Sequence, residues 1–419
     1  MNALCYKVIF SKRLGALVAV GENATSQGKS TSGAANRSVE VPLSQGGTAG
    51  GYFVGTLKVL FTSSVLACMA TTHSFAAPAA NTLPTGYSVN SGNVAVSTAG
   101  ANMTIKQNTD KASINWQSFS IGSAASVNIQ QNSASSVLLN RVVGNDPSQI
   151  FGKLTANGQV ILINPNGIVF GKGGSVVASA FTASTFGMTD TDFQNGKYKF
   201  NRNGSTTGVT VENGAYIQTT TPGGYVALLG ASVNNQGEIH TQQGAVVMAS
   251  GESVALPSTL TDSVGVPLSS KVRLELDPST INASVENGGT ITTDGGQVLM
   301  QAAAVADAVA SVTHTGSIDT SGAQGGAVTL LADNGHIKAS GSITANSADA
   351  ANKGGDIIIG RDEVTGELAA TTDVSGAHLE SKGGFVETSG EYLQTGDVFV
   401  KAANWLLDPT DIEINNGGV

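Results

Sequence analysis

Charge is scarce in this chain. Only 12% of its 419 residues are Asp, Glu, Lys or Arg, about half the ~25% usual in globular domains. That argues against a coiled coil, whose surface is built from Glu and Lys. The balance that remains is acidic, with a formal net charge of −9, which argues against a basic nucleic-acid binder. Aromatics supply 5% of residues, so any core is built from small and β-branched side chains. Disorder is excluded from the other direction, since 40% of residues are hydrophobic and net charge is low for the length. Glycine is plentiful, at 53 residues.

Cysteine is nearly absent, and its placement is informative. The chain has two, Cys5 and Cys68. Between them runs a Gly-, Ser- and Thr-rich stretch, followed by a short apolar run at residues 57–70 that is too brief to span a bilayer. Ser74-Phe75-Ala76 followed by Ala77 forms a small-x-small cleavage signal. Residues 1–76 therefore read as an export signal with a long lead, cut between Ala76 and Ala77. The chain from Ala77 onward has no cysteine, although exported proteins have access to disulfides. That suits a polypeptide which must stay extended while it threads a second membrane. Beyond the cut lie 15 Lys or Arg and 28 Asp or Glu, a net of −13 that disfavours binding to polyanions.

The remainder repeats. Gly-Gly pairs followed by a β-branched strand occur at Gly295-Gly296, Gly325-Gly326, Gly354-Gly355 and Gly383-Gly384, spaced 29 or 30 residues apart. Between them falls Gly-x-Ile, at Gly237, Gly289, Gly316 and Gly341. Each unit carries three strands of three to five residues punctuated by Gly, Asn, Asp or Ser. Such short strands make no free-standing sheet, and no sustained 3.6-residue apolar stripe leaves room for helices. Stacking one unit per coil satisfies every ladder hydrogen bond. The alternative is a β-sandwich with Gly-rich turns, but the fixed Gly-Gly spacing favours the solenoid. The expected fold is all-β, a right-handed parallel β-helix with an N-terminal cap and extra-helical β-hairpins. At ~20–29 residues per coil it would hold on the order of 12–17 coils.

Two regions break the period. Leu256 to Pro278, with Pro257, Pro267 and Pro278 around an alternating Val272–Leu276 stretch, reads as a hairpin leaving the rod. Residues 77–204 are irregular and begin with candidate capping sequence. The expected layout is a signal at 1–76, a first block at 77–255, a β excursion at 256–280, and continuing coils at 281–419 that stop without a closing segment.

Asn164-Pro165-Asn166-Gly167-Ile168 is the sharpest local motif. Pro165 presets φ for the second position of a type I turn, Asn166 suits the third and Gly167 the fourth. The turn would join strands at 160–163 and 168–170.

An ordered series carries a family likeness. It includes Ile114-Asn115-Trp116, Leu139-Asn140-Arg141-Val142, Asn157-Gly158-Gln159-Val160, the Asn164–Ile168 motif and Phe181-Thr182-Ala183-Ser184-Thr185. This series resembles the secretion domain of two-partner-secretion exoproteins, the filamentous-haemagglutinin-like family. Gly384-Phe385-Val386-Glu387-Thr388-Ser389-Gly390 and Trp405-Leu406-Leu407-Asp408-Pro409 place the likeness nearest the high-molecular-weight adhesin branch. The lead with Tyr6-Lys7-Val8-Ile9-Phe10 is similar to that family's extended signal peptide. The family's other tetrapeptide, Asn-Pro-Asn-Leu, is missing, which moves the match away from filamentous haemagglutinin itself.

The resemblance implies a role in secretion for Asn164, Pro165, Asn166, Gly167 and Ile168, and matches the family at Asn140, Arg141, Asn157 and Gly158. It implies one partner, an outer-membrane TpsB-type β-barrel transporter with periplasmic binding domains. It also implies a secreted product at the surface of a Gram-negative bacterium, acting in adhesion or haemagglutination. The alternative is a secretion domain for a contact-dependent toxin or haemolysin whose effector follows Val419.

Catalytic readings find little support. His240, His314, His336 and His378 fall in different registers of the repeat, without cysteine, so no zinc site is expected. The four arginines beyond the cut are scattered. No enzyme activity, cofactor, metal or nucleic-acid partner is expected.

Overall fold

A computed structural model describes residues 6–11, 16–21 and 76–410. Tyr6–Ser11 and Ala16–Gly21 form an antiparallel hairpin, a unit by itself. The apolar run at 57–70, both cysteines and the last nine residues of the coils expected at 281–419 lie outside the described residues. Ala76 and Ala77 are exposed and without regular structure.

Residues 102–409 wind into a parallel β-helix with three faces. The first face stacks eleven strands among the described residues, from Asn102–Gln107 to the start of Phe399–Pro409. That is fewer coils than the 12–17 expected, because two excursions take residues out of the stack. The second face runs from Lys111–Trp116, and the third from Ser148–Ile150 to Tyr392–Gln394. Along nine successive first-face strands an aliphatic column points inward in continuous register: Val127, Leu154, Val176, Ile217, Ile239, Ile291, Ile318, Ile343 and Leu379. All nine are at most 1% exposed. Each such burial is worth roughly 1.5–3 kcal/mol, and the single Val or Ile of each sequence repeat is this column.

The second face is buried twice over. Gln159–Ile163, Ala180–Ser184, Tyr225–Leu229 and Ala245–Ser250 are buried at every position. Their alternate side chains fill the helix interior and a second core outside it. A strand covered on both faces reads as an unbroken apolar run, which is why the repeat is obscured here. The outer cover comes from two excursions. Tyr198–Asn201 pairs antiparallel with Ser253–Leu256, which pairs antiparallel with Glu275–Asp277. Phe186, Phe193, Phe200, Val254 and Leu260, all fully buried, seal the interface.

Two details differ from the sequence reading. The irregularity of residues 77–204 is not spread through that region: coils from 102 to 184 are regular, and one insertion at 185–207 leaves the rod. The described residues include two one-turn helices, Asp190–Gln194 and Ser258–Thr261, both in the excursions. Thr189 caps the first, its hydroxyl accepting from Asp192 N at 3.0 Å.

The N-terminal end is closed by antiparallel strands. Val94–Ala99 folds over Asn102–Gln107, and Ser88–Ser91 over Lys111–Trp116. Both occupy ladder edges that would otherwise be open.

Candidate functional site

Asn164-Pro165-Asn166-Gly167 is a turn at the corner between the second and third faces. Gly167 N donates to Asn164 O at 3.1 Å, closing the four-residue turn. Gly167 sits at φ +113°, a region that favours glycine. Asn164 is fully buried and its side chain is the hub. Its Nδ2 donates to Asp146 O at 2.9 Å and Ser148 Oγ at 3.0 Å, both in the preceding coil, while its Oδ1 accepts from Asn166 N at 2.9 Å. Asn166 Nδ2 donates to Gly144 O at 2.8 Å. Pro165 O accepts from Thr207 Oγ1 at 2.7 Å and Ser205 Oγ at 3.1 Å, where the 185–207 excursion rejoins the rod at the corner of the following coil. Ile168 is fully buried on the third face. The tetrapeptide therefore staples three successive corners.

The other family-matching residues are also staples. Asn157 clamps the backbone of Gln131: its Oδ1 accepts from Gln131 N at 2.7 Å and its Nδ2 donates to Gln131 O at 2.9 Å. A Cβ on Gly158 would lie 2.5 Å from Gln131 Oε1 and 2.7 Å from Ser136 O, so glycine fits this corner. Asn140 is buried in the helix interior, where its Oδ1 accepts from Trp116 Nε1 at 3.0 Å. Arg141 points the other way. Its Nη2 donates to Met188 O at 2.8 Å and lies 2.9 Å from Asp190 Oδ1, fastening the first excursion to the second face. Burial raises the Asp190 pKa, but hydrogen bonds from Arg141 and Asn90 outweigh it and leave the carboxyl below its ordinary value.

Sequence reasoning missed several corner residues. Gln131 Nε2 donates to Gln107 Oε1 at 3.0 Å inside the rod. Further along, Asn235 Nδ2 donates to Asn287 Oδ1 at 2.7 Å, Asn287 Nδ2 donates to His314 Nδ1 at 3.2 Å, and His314 Nε2 donates to Ser342 O at 3.1 Å. This internal polar ladder leaves a signal: each of the three residues stands two before the Gly of a Gly-x-Ile motif. Nothing marked the 185–207 excursion except Phe186, Phe193 and Phe200 in a chain otherwise poor in aromatics.

The chemistry of these clusters is cohesive rather than catalytic. Amides satisfy backbone groups at corners, where a parallel ladder leaves them open. Among the described residues, no three His, Cys, Asp or Glu side chains converge to hold a metal.

Residues 80–345 match the TPS secretion domain family, and residues 1–50 match the extended signal peptide of the type V secretion system. A heme/hemopexin-binding protein of Haemophilus influenzae is 37% identical over 218 residues, which is 51% of this chain and 23% of that protein. A second protein of the same description and species is 43% identical over 100 residues, 24% of this chain and 11% of its own length. The chain thus spans less than a quarter of either relative. In fold, the crystal structure of the HMW1 secretion domain from Haemophilus influenzae superposes with a TM-score of 0.59 at 24% identity, covering 78% of this chain and 100% of that one.

Proposed function

The chain belongs to the TPS secretion domain family, and on that premise we propose that its stapled N-terminal coils are what an outer-membrane β-barrel transporter reads during export. An extended signal peptide followed by a TPS domain indicates secretion across the outer membrane through a TpsB partner. The observation that carries the finer reading is the Asn164–Gly167 turn, whose bonds reach the coil before and the coil after. A transporter with periplasmic binding domains receives residues 77 onward unfolded. Coils then form outside a Gram-negative cell, each templated by the last, and refolding draws the chain through. Export signal cleavage falls between Ala76 and Ala77. The product acts at the cell surface without catalysis, in adhesion or haemagglutination.

The test uses Lys199→Cys with Ala255→Cys, positions that face each other across an antiparallel pair. Oxidised in the periplasm, they close a loop of over fifty residues that the transporter must pass. Export should fall under oxidising conditions and recover with reductant. Equal amounts outside the cell in both states would overturn export of an unfolded chain.

One observation favours a second reading of the surface activity. Both curated relatives named above bear the description heme/hemopexin-binding, so capture of heme or hemopexin competes with adhesion. Heme titration and hemopexin pull-down on the secreted chain, beside cell-binding counts, separate the two.

A further inference from the structure

The third face carries a shallow trough of about 340 Å³ near its C-terminal end. Its floor is the outer side of the parallel sheet, where side chains of neighbouring strands stand in columns. One column is His336, Thr371 and Tyr392; the other is Lys338, Asp373 and Gln394. Ser311 and Thr313 close the end nearest the preceding coil. Rungs repeat at ~4.8 Å, so four of them extend roughly 14 Å, the length of a short oligosaccharide.

We propose that this trough binds a neutral oligosaccharide, with the Tyr392 ring as its stacking platform. Tyr392 is 59% exposed and stands on Tyr392–Gln394, which pairs with Thr371–Asp373 and is the last third-face strand among the described residues. A phenol ring offers an apolar face with a polar rim, and a pyranose offers the matching pair, a C–H face and a ring of hydroxyls. The side chains around it are donors and acceptors sized for hydroxyls: an amide, a carboxylate, an ammonium and two threonine hydroxyls. His336 Nδ1 and Thr371 Oγ1 are already paired at 2.6 Å, which fixes one edge of the floor. Asp373 Oδ1 accepts from Ser375 N at 2.9 Å, which orients the carboxylate and leaves its second oxygen for a ligand.

The same features disfavour other occupants. One lysine and one aspartate on adjacent rungs cancel, so neither a polyanion nor a polycation gains from the field. A protein partner needs a desolvated apolar anchor pocket, and the trough floor is hydroxyls and charges. Earlier rungs in the same columns carry Gly208, Ser232 and Ser284, or Thr210, Asn234 and Glu286, without a ring. Among the described rungs of these two columns, the ring is therefore found at Tyr392 and not before it. The site does not depend on the export reading.

The test is a glycan array probed with the secreted full chain, in two arms: animal-cell oligosaccharides and bacterial-surface oligosaccharides. Binding is expected in one arm, strongest for uncharged structures, and the arm identifies the source. Tyr392→Ala should weaken it at least tenfold and Asp373→Asn severalfold, while Tyr392→Phe stays within threefold of the parent. Thermal unfolding should be unchanged in all three, since these side chains point to solvent. Absence of binding in both arms would overturn the proposal. So would binding that Tyr392→Ala leaves intact, or preference for sulfated chains, or binding only to protein carriers.

Discussion

Trp116 and Asn140 meet inside the rod, one coil apart, with the indole Nε1 donating to the amide Oδ1 at 3.0 Å and neither side chain reaching solvent. An amide in an aliphatic core is costly unless its partner is equally polar. Here each residue explains the other.

That pairing gives a double-mutant test. Asn140→Leu alone strands the indole N–H, and should destabilise the chain by about 1–3 kcal/mol. Trp116→Phe alone strands the amide oxygen, while Nδ2 keeps its long contacts to Leu138 O and Ile161 O, and should cost a similar amount. Together they remove both polar ends, and the double variant should be less destabilised than the sum by about 1 kcal/mol or more. Additive losses in denaturant unfolding would mean that the bond contributes little.

The turn prediction concerns export. Asn166→Val with Gly167→Val removes the bond to Gly144 O and places a β-branched residue at φ +113°. The strain is worth on the order of 1–3 kcal/mol, concentrated where three coils are stapled. Secreted protein should fall severalfold while synthesis and signal cleavage continue. Undiminished protein in culture supernatants would show the turn to be dispensable.

The Gly-Gly and Gly-x-Ile spacing made the coil readable, because one position recurs on successive first-face strands, faces a narrow axis and carries Val, Ile or Leu. The turn at Asn164 was readable because its geometry is local. The excursions were harder. Residues 256–280 announce themselves through three prolines, whereas 185–207 lacks such punctuation and its partner strand at 253–256 lies some fifty residues away. Antiparallel pairing over that distance leaves no period in the sequence. The roles of Asn140 and Arg141 were invisible for a related reason. Adjacent in sequence on one strand, they face opposite cores, and only the buried outer face explains why an arginine belongs there.

His314 should set an acid limit on stability. Burial lowers its pKa, against the opposing pull of the Ser342 and Asn287 backbone carbonyls. The unfolded chain, titrating near ~6.5, then binds a proton before the folded one does. Stability is complete above ~6.5 and declines as pH falls below it, levelling off only beneath the folded pKa. His314→Asn would continue the ladder begun by Asn235 and Asn287. Its melting temperature should show a shallower decline than the parent between pH 6.5 and 5. A parallel decline in both would remove His314 as the cause.

Asp333 should act in the opposite sense over an overlapping range. Burial, with the charges of Glu367 and Asp362 nearby, raises its pKa to about 6, and one long hydrogen bond from Gln301 at 3.4 Å does not compensate. The folded state therefore holds a proton that the unfolded carboxyl, titrating near ~3.9, has released. Its contribution is fully present below ~3.9 and is lost as pH rises through 6. At neutral pH a charge is left in a poorly solvated place. Asp333→Asn keeps the shape and removes the charge, so it should stabilise the chain at pH 7.5 by on the order of 1–2 kcal/mol. The gain should shrink as pH falls and vanish near pH 4. Because His314 loses stability with acid while Asp333 regains it, each variant must be melted across the whole range. A gain from Asp333→Asn that persisted unchanged at pH 4 would trace to packing rather than to the half-buried charge.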